Sequence, residues 1–280
     1  MKILGLDFTS SPSRRKPITC AICTLQDRCL SMHTSQNMPT FADFEAFLRL
    51  PGPWIAALDF PFGLPTKLIA NLNWPASWQS YISHIASLGK TGFEATLATY
   101  IAQRVSGDKL HLRTTDILAG ARSPIMLHRV PVAKMFFQGT PRLLASGVSI
   151  LPCHPTVDDR IVLEGYPVLV ARKWIGKQSY KSDEHSKQTL DKEHARRILV
   201  HGLRSQEFTT YYGLTLNISN EMADMLIHDP MADSLDALLC AIQAAWAYRQ
   251  QDNGYGISVQ CDSNEGWIID PTILGLSQAH

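Results

Sequence analysis

Apolar positions along this chain change period repeatedly, and the changes mark out its elements. Short β-favouring runs at Ile3–Phe8, Ile18–Leu25, Cys29–Met32 and Trp54–Phe60 predict four strands. A basic turn, Ser10–Pro17, separates the first two, and Gln26–Arg28 separates the next two. Between the third and fourth, Phe44, Phe47 and Leu48 recur at helical spacing, which predicts a helix over Phe41–Leu50 with Thr40 as its cap. Residues 61 to about 155 are less regular, with helical patterns near 77–88, 92–106 and 131–146. No Gly/Ser/Pro linker and no repeat sets them apart, so residues 1–280 are expected to form one domain carrying a helical insertion at about 61–155. Beyond it, Ile161–Glu164 reads as a strand, Pro167 as the start of a helix through Trp174, and Ser186–Leu203 as a charged helix. Asp229-Pro230 predicts the start of a last long helix, Asp as its cap and Pro as its first residue.

Two of the strand-like runs close on a carboxylate followed by a breaker: Asp7 before Phe8-Thr9-Ser10, and Asp59 before Phe60-Pro61. Both acids are thereby expected at the C-terminal edge of an α/β sheet, where ligands bind. In the last helix Leu235, Leu238, Leu239, Ile242 and Trp246 form one stripe. Asp233 and Asp236 share the other face with Ala237, Cys240 and Ala244. Acids on a small-residue face, opposite an apolar stripe, are poorly explained by exposure to solvent. Four carboxylates from distant segments repel one another unless cations lie between them, so Asp7, Asp59, Asp233 and Asp236 outline a metal-dependent phosphoryl-transfer site. Structural alternatives stand beside this reading. Asp7 could cap the Thr9–Ser13 turn, Asp59 could accept loop amides, and Asp233 could offset a helix dipole.

Apolar residues make up 45% of the chain and charged residues 18%, which places it among globular proteins. A net charge of +1 offers no global attraction for nucleic acid, so any such attraction must be local. From Ala171 to Arg204 nine Lys/Arg face four acids, whereas from Glu207 to Asp270 ten acids face Arg249 alone. That juxtaposition suits a metal site beside a phosphate-binding surface, and equally two solvated faces of opposite charge. Glu164, Arg14, Arg15 and Lys181 are candidate substrate or phosphate contacts. Glu164 could instead pair with Arg172 or Arg160, and Tyr180, Arg122 and Arg142 could hold a phosphate or a carboxylate. Cys20 and Cys23 fall within one strand on opposite faces, and no second pair completes a zinc set. The chain opens directly on a strand and no stretch approaches ~20 apolar residues, so a soluble, cytoplasmic, reduced protein without a membrane partner is expected.

Several segments, taken in order, resemble a known family, the predicted ribonuclease H-like nucleases called domain of unknown function 429. They are Gly5-Leu6-Asp7-Phe8-Thr9-Ser10, Asp59-Phe60-Pro61-Phe62-Gly63-Leu64-Pro65, Glu164-Gly165-Tyr166-Pro167, Tyr180-Lys181, Asp233-Ser234-Leu235-Asp236-Ala237-Leu238 and Glu265-Gly266-Trp267-Ile268. The resemblance implies a ribonuclease H-like mixed sheet with helices on both faces and an acidic centre for Mg²⁺ or Mn²⁺. Within it Asp7 would bridge two metals, with Asp59 and the Asp233/Asp236 pair completing the cage. Glu164 lies outside that superfamily's usual acid set. The implied activity is phosphodiester hydrolysis, with a nucleic acid or nucleotide as partner. Two other classes remain open at this point. An actin-like phosphotransferase shares the opening topology, although its Gly-Gly adenosine motif is absent here, and a binding or scaffold protein could keep the frame without metal.

Overall fold

In the computed structural model, which describes residues 1–128 and 130–278, seven strands form one mixed sheet in the order β5-β6-β4-β1-β2-β3-β7. In chain order the elements are β1 (Lys2–Asp7), β2 (Ile18–Gln26), β3 (Cys29–Met38), α1 (Phe41–Leu48), β4 (Trp54–Leu58), α2 (Thr66–Asn71), α3 (Trp78–Ala102), α4 (Thr114–Ala119) and α5 (Val132–Ser146). Then come β5 (Ser149–Ile150), β6 (Arg160–Glu164), α6 (Pro167–Ile175), α7 (Leu190–Leu203), α8 (Gln206–Tyr212), β7 (Thr215–Asn217), α9 (Asn220–His228), α10 (Asp233–Arg249) and α11 (Pro271–Gln278). Strands β1, β2 and β3 meander antiparallel, whereas β4 adds parallel to β1 and β6 parallel to β4. Among the described residues no helix is long and apolar enough to cross a membrane.

Alternation along the strands sends side chains into two cores. On one face Ile3, Ala21, Cys23 and Ile55 pack with α6 to α10. On the other, Leu4, Leu6, Cys20 and Trp54 pack with α1, α3 and α5. Cys20 and Cys23 accordingly lie in different cores, both as buried free thiols. Helix α10 is buried on every side from Leu235 to Ala247 because it crosses the sheet directly over β1. A Cβ on Gly5 would stand 2.1 Å from both Ala237 O and Ala241 N. Glycine on the strand and alanines on the helix therefore permit backbone-to-backbone packing that no other side-chain pair would allow.

Several predicted boundaries change. The third strand runs to Met38, not Met32, because Thr34 to Met38 continue to pair with β2 although their polar sequence lacks alternation. Helix α3 spans two of the expected helical segments, broken at Gly89 (φ 65°). The charged helix starts at Leu190 instead of Ser186, since Gln188 and Thr189 are extended after a short 3₁₀ turn over His185–Lys187. Asp229 does not open the last long helix. It ends α9, its N–H donating to Met225 O, and Pro230 follows a helix stop as readily as it fits a start. Ala232, at φ 58°, then turns the chain so that α10 begins at Asp233 itself.

The insertion lies over the exit of β4. Trp78 Nε1 donates to Phe62 O at 2.6 Å, and Gly139 of α5 packs so tightly on Phe60 that a Cβ would meet its ring at 2.3 Å.

Candidate functional site

Strand register sets the site. Leu6 pairs with Leu58, and Leu58 in turn with Glu164, so Asp7, Asp59 and Glu164 emerge at one edge from three adjacent strand ends. The Asp59 N–H donates to Leu6 O at 3.0 Å, which fastens the two aspartates' backbones side by side. The close packing of α10 on Gly5 brings Asp236, the residue before Ala237, over the same edge. Asp236 is fully buried, and Asp7 and Asp233 are each 8% exposed.

Asp236 is held by two donors from the segment after α6. The Tyr180 phenol donates to its Oδ1, and the Lys181 ammonium pairs with Oδ2. Tyr180 is itself fixed through its carbonyl, which accepts from the buried Arg196 guanidinium at 2.8 Å. By contrast, the side chains of Asp7, Asp59 and Asp233 accept no protein hydrogen bond among the described residues. Their proton affinities reflect it. Burial raises the Asp7 pKa well above the usual range, with Lys181 opposing and Asp236, Asp59 and Asp233 adding to the rise. Burial likewise pushes Asp59 up to about 7, opposed by Lys181 and reinforced by Asp236 and Glu164. Asp233 is pushed up to about 6 by burial, against the pull of Lys181 and Lys16. Asp7, Asp59 and Asp233 each feel the charge of Asp236, and Lys181 opposes the rise at all three.

Glu164 belongs to a different arrangement. Its carboxylate accepts Arg113 Nη1 at 2.8 Å and Nη2 at 2.6 Å, and Phe62 N–H at 2.9 Å. The same guanidinium donates from Nε at 2.9 Å and Nη2 at 2.7 Å to Asp116. All three side chains are almost wholly buried. The partner of Glu164 is therefore Arg113, not Arg172 or Arg160. Arg160 pairs with Asp158, while Arg172 donates to Ala119 O. Residues 113 and 116 escaped sequence reasoning. Their one local signal is an Arg followed three residues later by an Asp at the start of a short helix.

Tyr166, named in the sequence only as part of the Glu164-Gly165-Tyr166-Pro167 segment, lies beside this edge with its backbone clamped by Gln243, whose amide accepts from Tyr166 N at 2.8 Å and donates to Tyr166 O at 3.2 Å. Arg14 and Arg15 sit on the exposed turn after β1, without a hydrogen-bond or ion-pair partner among the described residues. The basic segment is largely occupied internally. Lys173 pairs with Asp270, Lys187 with Glu184 and Arg197 with Glu193, and Arg196 caps carbonyls. Within it, Lys177 alone lacks a hydrogen-bond, ion-pair or ring partner among the described residues. A continuous basic track for a duplex is not what this segment forms.

Hard carboxylate oxygens of Asp7, Asp59 and Asp236 are the donor type that Mg²⁺ and Mn²⁺ prefer, and of the three only Asp236 already holds protein donors, Tyr180 and Lys181. Among the described residues no group of three or more His, Cys, Asp or Glu side chains is placed so as to hold a metal ion. The donor chemistry fits, and Lys181 supplies the positive charge the cluster holds. Comparison with family models, with curated proteins and with solved structures finds no match.

Proposed function

We propose that the four-aspartate centre is a divalent-metal-dependent phosphodiesterase site on a ribonuclease H-like frame. The observation that carries the reading is the pairing of Asp7 and Asp59. They end neighbouring parallel strands, Asp7 buried and Asp59 half-buried, and among the described residues no protein donor reaches either carboxylate. Buried acids are ordinarily paired or hydrogen-bonded, so a pair left without donors points to a ligand of opposite charge. The strand order, an antiparallel three-strand meander flanked by parallel β4 and β6, supports the ribonuclease H-like frame, as does the family resemblance of the motifs at these positions.

Asp7, Asp59 and Asp236 would hold Mg²⁺ or Mn²⁺, with Asp233 at the margin. When bound, the ions would supply an activated water and charge stabilisation for the leaving oxygen, as in sites with two metals about 4 Å apart. The protein's own part is to bury Asp7 and Asp236, to orient Asp236 through Tyr180, and to hold Lys181 as the cluster's counter-ion.

Replacing Asp7 with Asn keeps size while removing the charge. Turnover on single-stranded, duplex and hybrid substrates should fall by at least ~100-fold, a loss of several kcal/mol in transition-state stabilisation. The Asp7→Asn fold should persist, with a melting temperature equal to or above that of the metal-free parent. Wild-type protein that cleaves none of these substrates and melts at the same temperature with and without Mn²⁺ would return the centre to a structural role.

A further inference from the structure

Beside the aspartate centre lies a cavity of about 310 Å³, bordered by Asp59 and Lys181 at the centre and by Tyr166 and Arg122 beyond it. Its remaining wall is largely apolar, with Val132, Met135 and Val168 prominent, and its polar part is the buried Arg113, Asp116 and Glu164, already bonded to one another. Three features give it the character of a binding pocket. Tyr166 is held rigidly by the Gln243 clamp, and Gln243 is braced in turn by Asp270 at 3.2 Å. The Tyr166 phenol makes no protein hydrogen bond among the described residues. Arg122 is exposed and likewise has no hydrogen-bond or ion-pair partner there, although its charge reaches Tyr166.

From this juxtaposition we infer that the site takes a single unpaired nucleotide unit, its base seated between Tyr166, Met135 and Val168 and its phosphate directed to the aspartate centre. The inference rests on the metal-site reading for the phosphate, and on the cavity alone for the base. The volume is at the small end of the roughly 300–1,000 Å³ typical of ligand pockets, enough for one planar ring system and its sugar. An apolar wall with one fixed aromatic and one adaptable methionine suits a base face, whereas a bare sugar phosphate would need polar partners for its hydroxyls. A duplex is disfavoured twice over, since a base pair would have to open to enter and the basic segment 171–204 makes no phosphate track. The substrate is then a mononucleotide ester or an unpaired strand end.

Calorimetric titration with adenosine 5′-monophosphate, cytidine 5′-monophosphate and ribose 5-phosphate, with and without Mn²⁺, tests this. Both nucleotides should bind at least ~10-fold more tightly than ribose 5-phosphate, the scale of one stacked base. Val168→Phe, which fills the cavity from a half-buried position, should erase that preference. It should leave the Mn²⁺-induced rise in melting temperature unchanged. Arg122→Ala, at an exposed position that carries no fold, should weaken nucleotide binding severalfold and serves if Val168→Phe does not fold. Equal affinity for all three probes, or a preference untouched by both substitutions, overturns the inference while leaving the metal site standing. A nucleotide preference that Val168→Phe removes, in a protein indifferent to Mn²⁺, upholds the pocket and overturns the metal reading instead.

Discussion

Glu164 and Asp59 end neighbouring parallel strands at the same sheet edge, yet their surroundings are opposite in kind. Glu164 receives three hydrogen bonds, two of them from a guanidinium that also grips Asp116, whereas the Asp59 side chain receives none among the described residues. Glu164 is buried and Asp59 half-buried, and burial raises both pKa values, but Arg113 opposes the rise directly at Glu164. A strand-end carboxylate is thus either closed by its own fold or left open, and position on the sheet does not decide which. The closed unit ties α4 of the insertion to β6, and Arg113 also reaches Glu265 O at 2.9 Å near the C-terminus. In the open unit Asp236 alone is tied, to Tyr180 and Lys181, and among the described residues the side chains of Asp7, Asp59 and Asp233 keep their acceptors for something else.

The sharpest way to break this contrast is at Arg113. Arg113→Ala leaves Glu164 and Asp116 buried without their counter-ion, a change that costs about 3–5 kcal/mol. Unfolding in urea should show a correspondingly lower midpoint, with partial recovery when Glu164→Gln is added to remove one orphaned charge. A midpoint that hardly moves would mean that the buried triad contributes no structure and that the two acids are alike after all.

Next in size is the response to pH. Asp59 titrates near 7 in the folded chain and near the usual carboxylate value when unfolded, so between these the folded state keeps a proton that the unfolded state has lost. Stability must then fall as pH rises through that window, by roughly 2 kcal/mol between about pH 5 and pH 7. Asp233, near 6, adds to the lower part of the window. His111, lowered by burial, works in the opposite direction. The decisive quantity is therefore the difference between the wild type and Asp59→Asn, which should lack the Asp59 part of the slope. Added Mn²⁺ should reverse the trend in the wild type, since metal requires the deprotonated acids and its stabilising increment grows with pH. Identical slopes for the two proteins would remove Asp59 from the open class.

Why the sequence reveals the open unit and conceals the closed one follows from the range of the signals. Asp7 and Asp59 each end an apolar run at a breaker, a pattern complete within ten residues. Asp236 stands out because its helix face is otherwise small, a requirement that the contact with Gly5 explains. Glu164 shows the same local pattern, but its partner lies 51 residues upstream, in an insertion whose path no periodicity reports. The strands β5 and β7, of two and three residues, are too short to show alternation and exist only because neighbouring edges pair with them. Asp229-Pro230 misleads for another reason, because the same dipeptide suits the end of one helix and the beginning of the next.

The smallest effect is expected at Lys181, and it separates the two units most finely. Each unit has one cation bonded to acids, but Arg113 is enclosed, whereas the Lys181 side chain is 39% exposed. A planar guanidinium with five donors locks two carboxylates at once, while an ammonium on a flexible stem can withdraw. Lys181→Met should therefore cost the metal-free protein only about 1 kcal/mol, because Asp236 keeps its bond from Tyr180 and solvent screens much of the lost attraction. The same substitution leaves four aspartates facing one another without their counter-ion, so a divalent ion should gain. Titration with Mn²⁺ should show affinity rising severalfold over the wild type, with a larger increase in melting temperature at saturation. A loss as large as that of Arg113→Ala, with no gain for Mn²⁺, would show that Lys181 closes its cluster just as Arg113 does, and that the edge holds two structural units and no open site.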